Sequence, residues 1–238
     1  MIKGLVIAGP TGVGKTDLSI KLAKLLNADI ISADSAQIYK GMDIGTAKIT
    51  AEEMQGVKHY MLDVVEPIKK YSVGDYQTAV DNILNEKEKE NKNIILTGGT
   101  GLYIGSITEG LSDLPAGDPV LREELLKLDS EELYKKLMEL DPQAAEDIHI
   151  NNRRRVERAV EVCLLTGDKF SVLSKKNIKN NNYNFLKVAL ERDREYLYER
   201  INLRVDIMLE KGLEQEVRAL YETVSYTHLR AHETDSYL

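Results

Sequence analysis

One eight-residue string, at residues 9–16, constrains the fold of this chain more than any other feature. An apolar run at residues 5–8 precedes it, and leucines at helical spacing follow it as far as residue 26. Such a loop between a strand and a helix binds phosphate groups through backbone N–H groups, a lysine and the helix N-terminus. We therefore expect it to bind a diphosphate or triphosphate, with Thr16 able to ligate Mg²⁺. The string fits the pattern G-x-x-x-x-G-K-[ST] and consists of Gly9, Pro10, Thr11, Gly12, Val13, Gly14, Lys15 and Thr16.

Short apolar runs alternate with helical patterns through the first half of the chain. Further runs lie at 30–31, 60–65 and 94–97, the last of which enters a glycine turn at 98–99, and a long polar-faced helix pattern covers 73–92. Continuous apolar runs are typical of strands buried on both faces of a parallel sheet. The fold class predicted from this order is α/β, a P-loop-containing doubly wound parallel sheet.

The pattern changes after residue 114. Residues 118–176 are helical in pattern throughout, and a strand pattern at 185–190 and a helix pattern from 193 to about 224 follow them. We predict a catalytic core made of 1–114 and 185–224, with a helical insertion domain at 115–184. Residues 225–238 show no apolar periodicity, and we interpret them as a tail that is foreign to the rest of the chain, the alternative being a flexible native tail.

Composition narrows the class of protein. The chain has 238 residues, 32 basic and 39 acidic, and a net charge of −7. Its single cysteine excludes a disulfide framework and a multi-thiolate zinc site. No apolar run approaches the roughly 20 residues of a membrane span, and the N-terminus lacks the layout of a signal peptide. We expect a cytoplasmic protein with no membrane partner, whose contacts with nucleic acid would depend on a local basic patch.

Polar residues follow two of the predicted strands. Asp34 comes after the run at 30–31, and a glycine turn containing Thr100 comes after the run at 94–97. Ligand sites in open α/β sheets lie beyond the C-terminal strand ends, so we expect Asp34 to face the same crevice as Lys15. No acid ends the run at 94–97, where a kinase would place a metal ligand.

Basic residues cluster at two places. Arg154, Arg155 and Arg158 share one face of a predicted helix, where they are suited to a nucleic-acid backbone or form a solvated surface. Arg200 and Arg204 also share a helix face, suited to a diphosphate or to ion pairs with nearby glutamates.

Together these strings resemble bacterial tRNA dimethylallyltransferases. The most specific string is SADSAQIYKGMDIGTAK at 32–48, supported by 9–16, 98–103, 151–159 and 197–201. The resemblance implies transfer of a dimethylallyl group from dimethylallyl diphosphate, with Mg²⁺, to N6 of the adenosine just 3′ of a tRNA anticodon. It implies a truncated member of the family, since the family continues beyond residue 224.

The resemblance also implies roles for particular residues. Asp34 would be the general base, Thr100 would position the acceptor, and Arg122 would lie near the diphosphate or the RNA. The residues implied to contact the tRNA anticodon stem-loop are Asp34, Ser35, Ala36, Gln37, Arg154, Arg155, Val156, Glu157 and Arg158.

Three alternatives remain open from the residues alone. An adenylate isopentenyltransferase would perform the same chemistry on a free nucleotide, and a P-loop kinase for a small molecule would share the loop and the sheet. A non-catalytic RNA-binding module would retain the loop without using it. For the tRNA dimethylallyltransferase that the motifs resemble, we expect a monomer.

Overall fold

The computed structural model describes residues 3–112, 114–176 and 183–223. It divides into two compact units, the first within residues 1–108 and 181–238 and the second within 109–180. The domain boundaries expected from the sequence, 115 and 184, lie a few residues from these. The predicted tail at 225–238 lies outside the described residues.

The first unit is built on a parallel sheet. Its described strands are ordered β3-β2-β4-β1-β5, and every neighbouring pair is parallel. This arrangement confirms the predicted α/β fold class. The strands are β1 (Lys3–Ala8), β2 (Ala28–Ser32), β3 (His59–Tyr60), β4 (Asn93–Gly98) and β5 (Asn184–Ala189).

Helices cover both faces of this sheet. On one face, Ile7, Ile30 and Ile95 pack against the helix that follows the phosphate loop (15–26). On the other face, apolar side chains pack against the helices at 73–89 and 101–108. Alternation of side chains along each strand explains why these runs are apolar throughout. The helices of this unit are α1 (Lys15–Leu26), α2 (Val73–Lys89), α3 (Gly101–Thr108), α9 (Arg194–Glu210) and α10 (Leu213–Thr223).

The second unit is helical, as predicted. Leu133, Leu137, Val156 and Val160 are almost completely buried in its core. Its helices are α4 (Pro119–Leu126), α5 (Ser130–Leu140), α6 (Pro142–Asp147), α7 (Arg153–Thr166) and α8 (Phe170–Lys176). None of the helices in the described ranges of either unit is long and apolar enough to cross a bilayer.

Two predicted elements differ from the structure. The strand expected at 60–65 ends at Tyr60, because Met61 and Asp63 adopt left-handed φ angles of 62° and 54° that no strand accommodates. The single helix expected at 193–224 is two helices, and Gly212, with a φ of 98°, separates them.

Candidate active site

A cavity of about 210 Å³ lies in the first unit. Three parts of the chain contribute charged side chains to it: Lys15 and Asp17 from the phosphate loop and the first turn of α1, Asp34 from the turn after β2, and Arg200 and Arg204 from α9. Lys15 and Asp34 therefore line one cavity, as the positions of the strand ends predicted.

Hydrogen bonds within the phosphate loop fix the side chain of its lysine at the cavity. The Lys15 ammonium donates hydrogen bonds to the carbonyl oxygens of Gly9 (2.7 Å) and Pro10 (2.9 Å). Gly14 is the N-cap of α1 and has a φ of 100°, a conformation that glycine adopts at little cost. Val13 is buried in the loop. Thr11, Gly12, Gly14, Lys15 and Thr16 line the cavity.

The charges in the cavity act on one another. Burial lowers the pKa of the Lys15 ammonium, the nearby Asp34 carboxylate opposes that shift, and the Arg204 guanidinium adds to it. Burial also lowers the pKa of Arg204, again against the attraction of Asp34. Three basic side chains line the cavity against the two carboxylates of Asp17 and Asp34, and this excess of positive charge favours a polyanion.

Asp34 both caps a turn and faces the cavity. Its Oδ1 accepts hydrogen bonds from the backbone N–H groups of Ala36 (2.9 Å) and Gln37 (3.4 Å). Its Oδ2 accepts none from residues that the structure describes. One oxygen thus fixes the orientation of the carboxylate and leaves the other for a ligand.

Thr100 holds the turn that carries Asp34. The Ser35 N–H donates to Thr100 Oγ1 (3.0 Å), and the Thr100 N–H donates to the carbonyl of Ala33 (3.1 Å). A Cβ added at Gly98 would overlap the Ala33 carbonyl, so β4 and the turn after β2 approach closely there. Thr100 is absent from the cavity lining, and its predicted role in positioning the acceptor remains a prediction.

Gln37 lines the cavity with a side chain fixed at both ends. Its Oε1 accepts from Ser32 Oγ (3.2 Å), and its Nε2 donates to the carbonyl of Thr46 (3.2 Å). His59 also lines the cavity, and no pattern in the sequence indicates it as a site residue. Its Nδ1 lies 2.9 Å from the carbonyl of Val57, and burial lowers its pKa. A two-residue strand has no periodicity that could have indicated it.

Arg122 and Arg158 are paired with a buried acid in the second unit. Arg122 binds Glu161 through two hydrogen bonds (2.7 and 3.0 Å), and Arg158 binds it through one (2.6 Å). Burial alone would raise the pKa of Glu161, but the hydrogen bonds from both arginines outweigh it and hold that pKa below its usual value. Arg158 also donates to the carbonyl of Pro115 (2.6 Å).

The remaining residues of the basic cluster differ in whether their side chains are exposed, ion-paired or buried. Arg154 and Arg155 are exposed, and their guanidinium groups have no partner among the described residues. Glu157 pairs with Arg153 (2.8 Å), while the Val156 side chain is 1% exposed. Of the side chains predicted to contact tRNA from this helix, Arg154 and Arg155 are the charges most available to a phosphate backbone.

The sequence model of the IPP transferase family matches residues 37–237. A relative from Fusobacterium nucleatum subsp. nucleatum, called tRNA dimethylallyltransferase, is 59% identical over 220 residues, or 92% of this chain and 72% of its own length. The chain belongs to the IPP transferase family. The resemblance recognised from its motifs is thereby confirmed.

Solved structures of IPP transferases have the same fold. The tRNA isopentenylpyrophosphate transferase of Bacillus halodurans is 42% identical, with a TM-score of 0.64 over 94% of this chain and 71% of its own. A eukaryotic dimethylallyltransferase described as acting on tRNA is 32% identical, with a TM-score of 0.83 over 94% of this chain and 56% of its own. The P-loop core of this IPP transferase is therefore the family core.

Proposed function

We propose that this chain transfers a dimethylallyl group from dimethylallyl diphosphate to N6 of the adenosine immediately 3′ of a tRNA anticodon and releases diphosphate. The observation that carries the proposal is the single cavity shared by the phosphate loop and the available oxygen of Asp34. The relatives called tRNA dimethylallyltransferase support it.

The Asp34 carboxylate supplies the base that the N6 amine of the acceptor adenosine needs. The adenine N6 amine is a poor nucleophile, because its lone pair is delocalised into the ring. As the bond from N6 to the allylic carbon forms, Asp34 takes the N6 proton. The C–O bond to the diphosphate breaks in the same process, and its electron pair leaves with the diphosphate.

The positive groups stabilise the leaving diphosphate. The Lys15 ammonium, the loop N–H groups, Arg200 and Arg204 face the cavity where that charge develops. Preorganised donors of this kind are worth most where they meet charge that appears only in the transition state. The loop therefore serves attack at carbon, which explains why no acid is needed at the end of β4.

The residues present fit a Mg²⁺ ion that arrives with the diphosphate. Thr16 places a hydroxyl, a hard oxygen donor, in the cavity wall beside Lys15. Within the described residues, no group of three or more His, Cys, Asp or Glu side chains is placed to hold a metal. Mg²⁺ commonly takes few protein ligands and completes its shell with phosphate oxygens and water. When bound, it would neutralise charge on the leaving diphosphate.

The acceptor in this proposal is the anticodon stem-loop of a tRNA. The target adenosine must leave its stack to reach a cavity of this kind. Gln37, with its amide already oriented, would contact the RNA from the first unit, with Asp34, Ser35 and Ala36 beside it. We place the reaction in the cytoplasm, and we assign Arg122 to the RNA or the diphosphate.

Arg154 and Arg155 are expected to contribute phosphate contacts. Replacing both by alanine should weaken tRNA binding. The slope of the logarithm of the binding constant against the logarithm of the salt concentration should become shallower by about 1.5, because each phosphate contact contributes about 0.7–0.9 to it. Filter binding of the tRNA at several salt concentrations measures this. The matched control replaces Lys127 and Lys135, two exposed cations of the same unit, by alanine. An equal loss in that control would contradict specific contacts.

Comparison of acceptors tests the proposed function against its rivals. Dimethylallyl diphosphate labelled in the allyl group is incubated with Mg²⁺ and the protein, in separate reactions with tRNA and with AMP. We expect label in tRNA alone. Label in AMP would favour an adenylate isopentenyltransferase, consumption of ATP in a parallel reaction would favour a kinase, and RNA binding with no transfer would favour a binding module.

A further inference from the structure

One carboxylate of α10 holds a loop that is far from it in sequence. Glu216 Oε2 accepts hydrogen bonds from the backbone N–H groups of Asp43 (2.8 Å) and Ile44 (2.7 Å), and its Oε1 accepts from Gly45 N–H (2.9 Å). Three consecutive N–H groups thus converge on one side chain. Such charge-assisted bonds are among the stronger hydrogen bonds in proteins.

The loop also packs closely against α10. A Cβ added at Gly45 would lie 3.2 Å from Leu213 Cδ1, a tight contact. At its other end the loop is anchored by Lys48, whose side chain is 5% exposed and whose ammonium donates to Asp43 (2.7 Å) and Asp63 (2.6 Å). The segment 43–48 is therefore fixed at both ends, and Glu216 supplies the anchor for its first half.

The residue between these anchors connects the loop to the active-site cavity. The carbonyl of Thr46 accepts from Arg204 Nη2 (3.1 Å) and from Gln37 Nε2 (3.2 Å). Both donors line the cavity, as Thr46 itself does. The position of one carbonyl thus sets the orientation of a guanidinium assigned to the diphosphate and of an amide assigned to the RNA.

We propose that Glu216 is a positioning residue for the diphosphate. By fixing 43–45, it places the Thr46 carbonyl where it aims Arg204 into the cavity. This inference rests on the proposed function for the identity of the substrate, but the orientation of Arg204 should affect inorganic diphosphate as well. No bond to the diphosphate is made by Glu216, which acts through Thr46 and Arg204.

Binding of inorganic diphosphate tests this role without requiring prenyl transfer. Calorimetry on the whole chain should show a Kd about tenfold higher for Glu216→Ala, since a strong hydrogen-bonded anchor is lost. The KM for dimethylallyl diphosphate should rise by a similar factor, with a smaller change in kcat. Glu216→Gln should lie between, because its amide keeps one acceptor and turns a donor towards a backbone N–H. The control Glu214→Ala removes an exposed acid that pairs with Arg218, and it should bind like the unaltered chain.

A double-mutant cycle separates positioning from general loss of structure. Adding Glu216→Ala to Arg204→Ala should weaken diphosphate binding by less than twofold beyond Arg204→Ala alone, because the effect passes through Arg204. A full tenfold further loss, or an unchanged Kd in both Glu216 variants, would overturn the inference. If Glu216→Ala does not fold, Glu216→Gln carries the same cycle. Failure of the unaltered chain to prenylate tRNA, with the cycle intact, would remove the proposed function and leave this inference standing.

Discussion

Replacing Asp34 by asparagine is expected to lower the turnover of tRNA prenylation by about 10²-fold or more, the range typical of a lost general base. The amide keeps an oxygen that can accept from the Ala36 and Gln37 N–H groups, so the turn after β2 should survive. It cannot take a proton from N6. Single-turnover rates with saturating tRNA and dimethylallyl diphosphate measure the effect.

Asp34→Ala provides the comparison that separates the two functions of this side chain. It removes the turn cap as well as the base, so its melting temperature should fall below that of Asp34→Asn while its turnover is equally poor. Loss of an N-cap-like bond typically costs about 1 kcal/mol. The control Glu66→Gln alters an exposed carboxylate paired with Lys40 and should react normally. Normal turnover in Asp34→Asn would remove Asp34 from the mechanism.

Replacing Lys15 by methionine is expected to reduce turnover by about 10²–10³-fold, the cost typical of losing one preorganised donor to developing charge. Methionine keeps much of the apolar stem and removes the ammonium, which is half-buried beside the loop. Affinity for inorganic diphosphate should fall in the same variant, because the product carries the charge that the transition state develops.

The same helix offers a matched control for this lysine. Lys21→Met changes an exposed cation on α1 that does not line the cavity, and it should leave both turnover and diphosphate affinity unchanged. Lys15→Met also frees the carbonyls of Gly9 and Pro10, so its melting temperature should be recorded beside its kinetics. Diphosphate affinity within twofold of the unaltered chain would show that the loop binds some other ligand.

The parts of the site predicted from sequence are those that follow strand ends. The apolar runs located β1, β2 and β4, and parallel strands bring Lys15 and Asp34 to one edge of the sheet without further information. Glu216 could not be found in this way, because it lies more than 170 residues from Asp43 and its role depends on backbone N–H groups that carry no sequence signature.

Local signals explain some of the differences between expectation and structure. Gly212, a residue type that ends helices, separates α9 from α10, although the apolar pattern on either side of it predicts one helix. The basic cluster predicted three equivalent arginines, but Arg158 has Glu161 one turn further along the same helix, a spacing that favours an ion pair. Glu161 is buried, and its burial favours the ion pair with Arg158. The sequence does not indicate this, because burial depends on the tertiary structure.

Mass analysis of tRNA nucleosides tests the central claim most directly. After incubation of unmodified tRNA with this chain, dimethylallyl diphosphate and Mg²⁺, we predict an adenosine heavier by one dimethylallyl group in place of hydrogen. It should lie just 3′ of the anticodon, with one diphosphate released per modified nucleoside, and Asp34→Asn should yield almost none. Unmodified adenosine at that position, with the chain folded and binding diphosphate, would contradict the account.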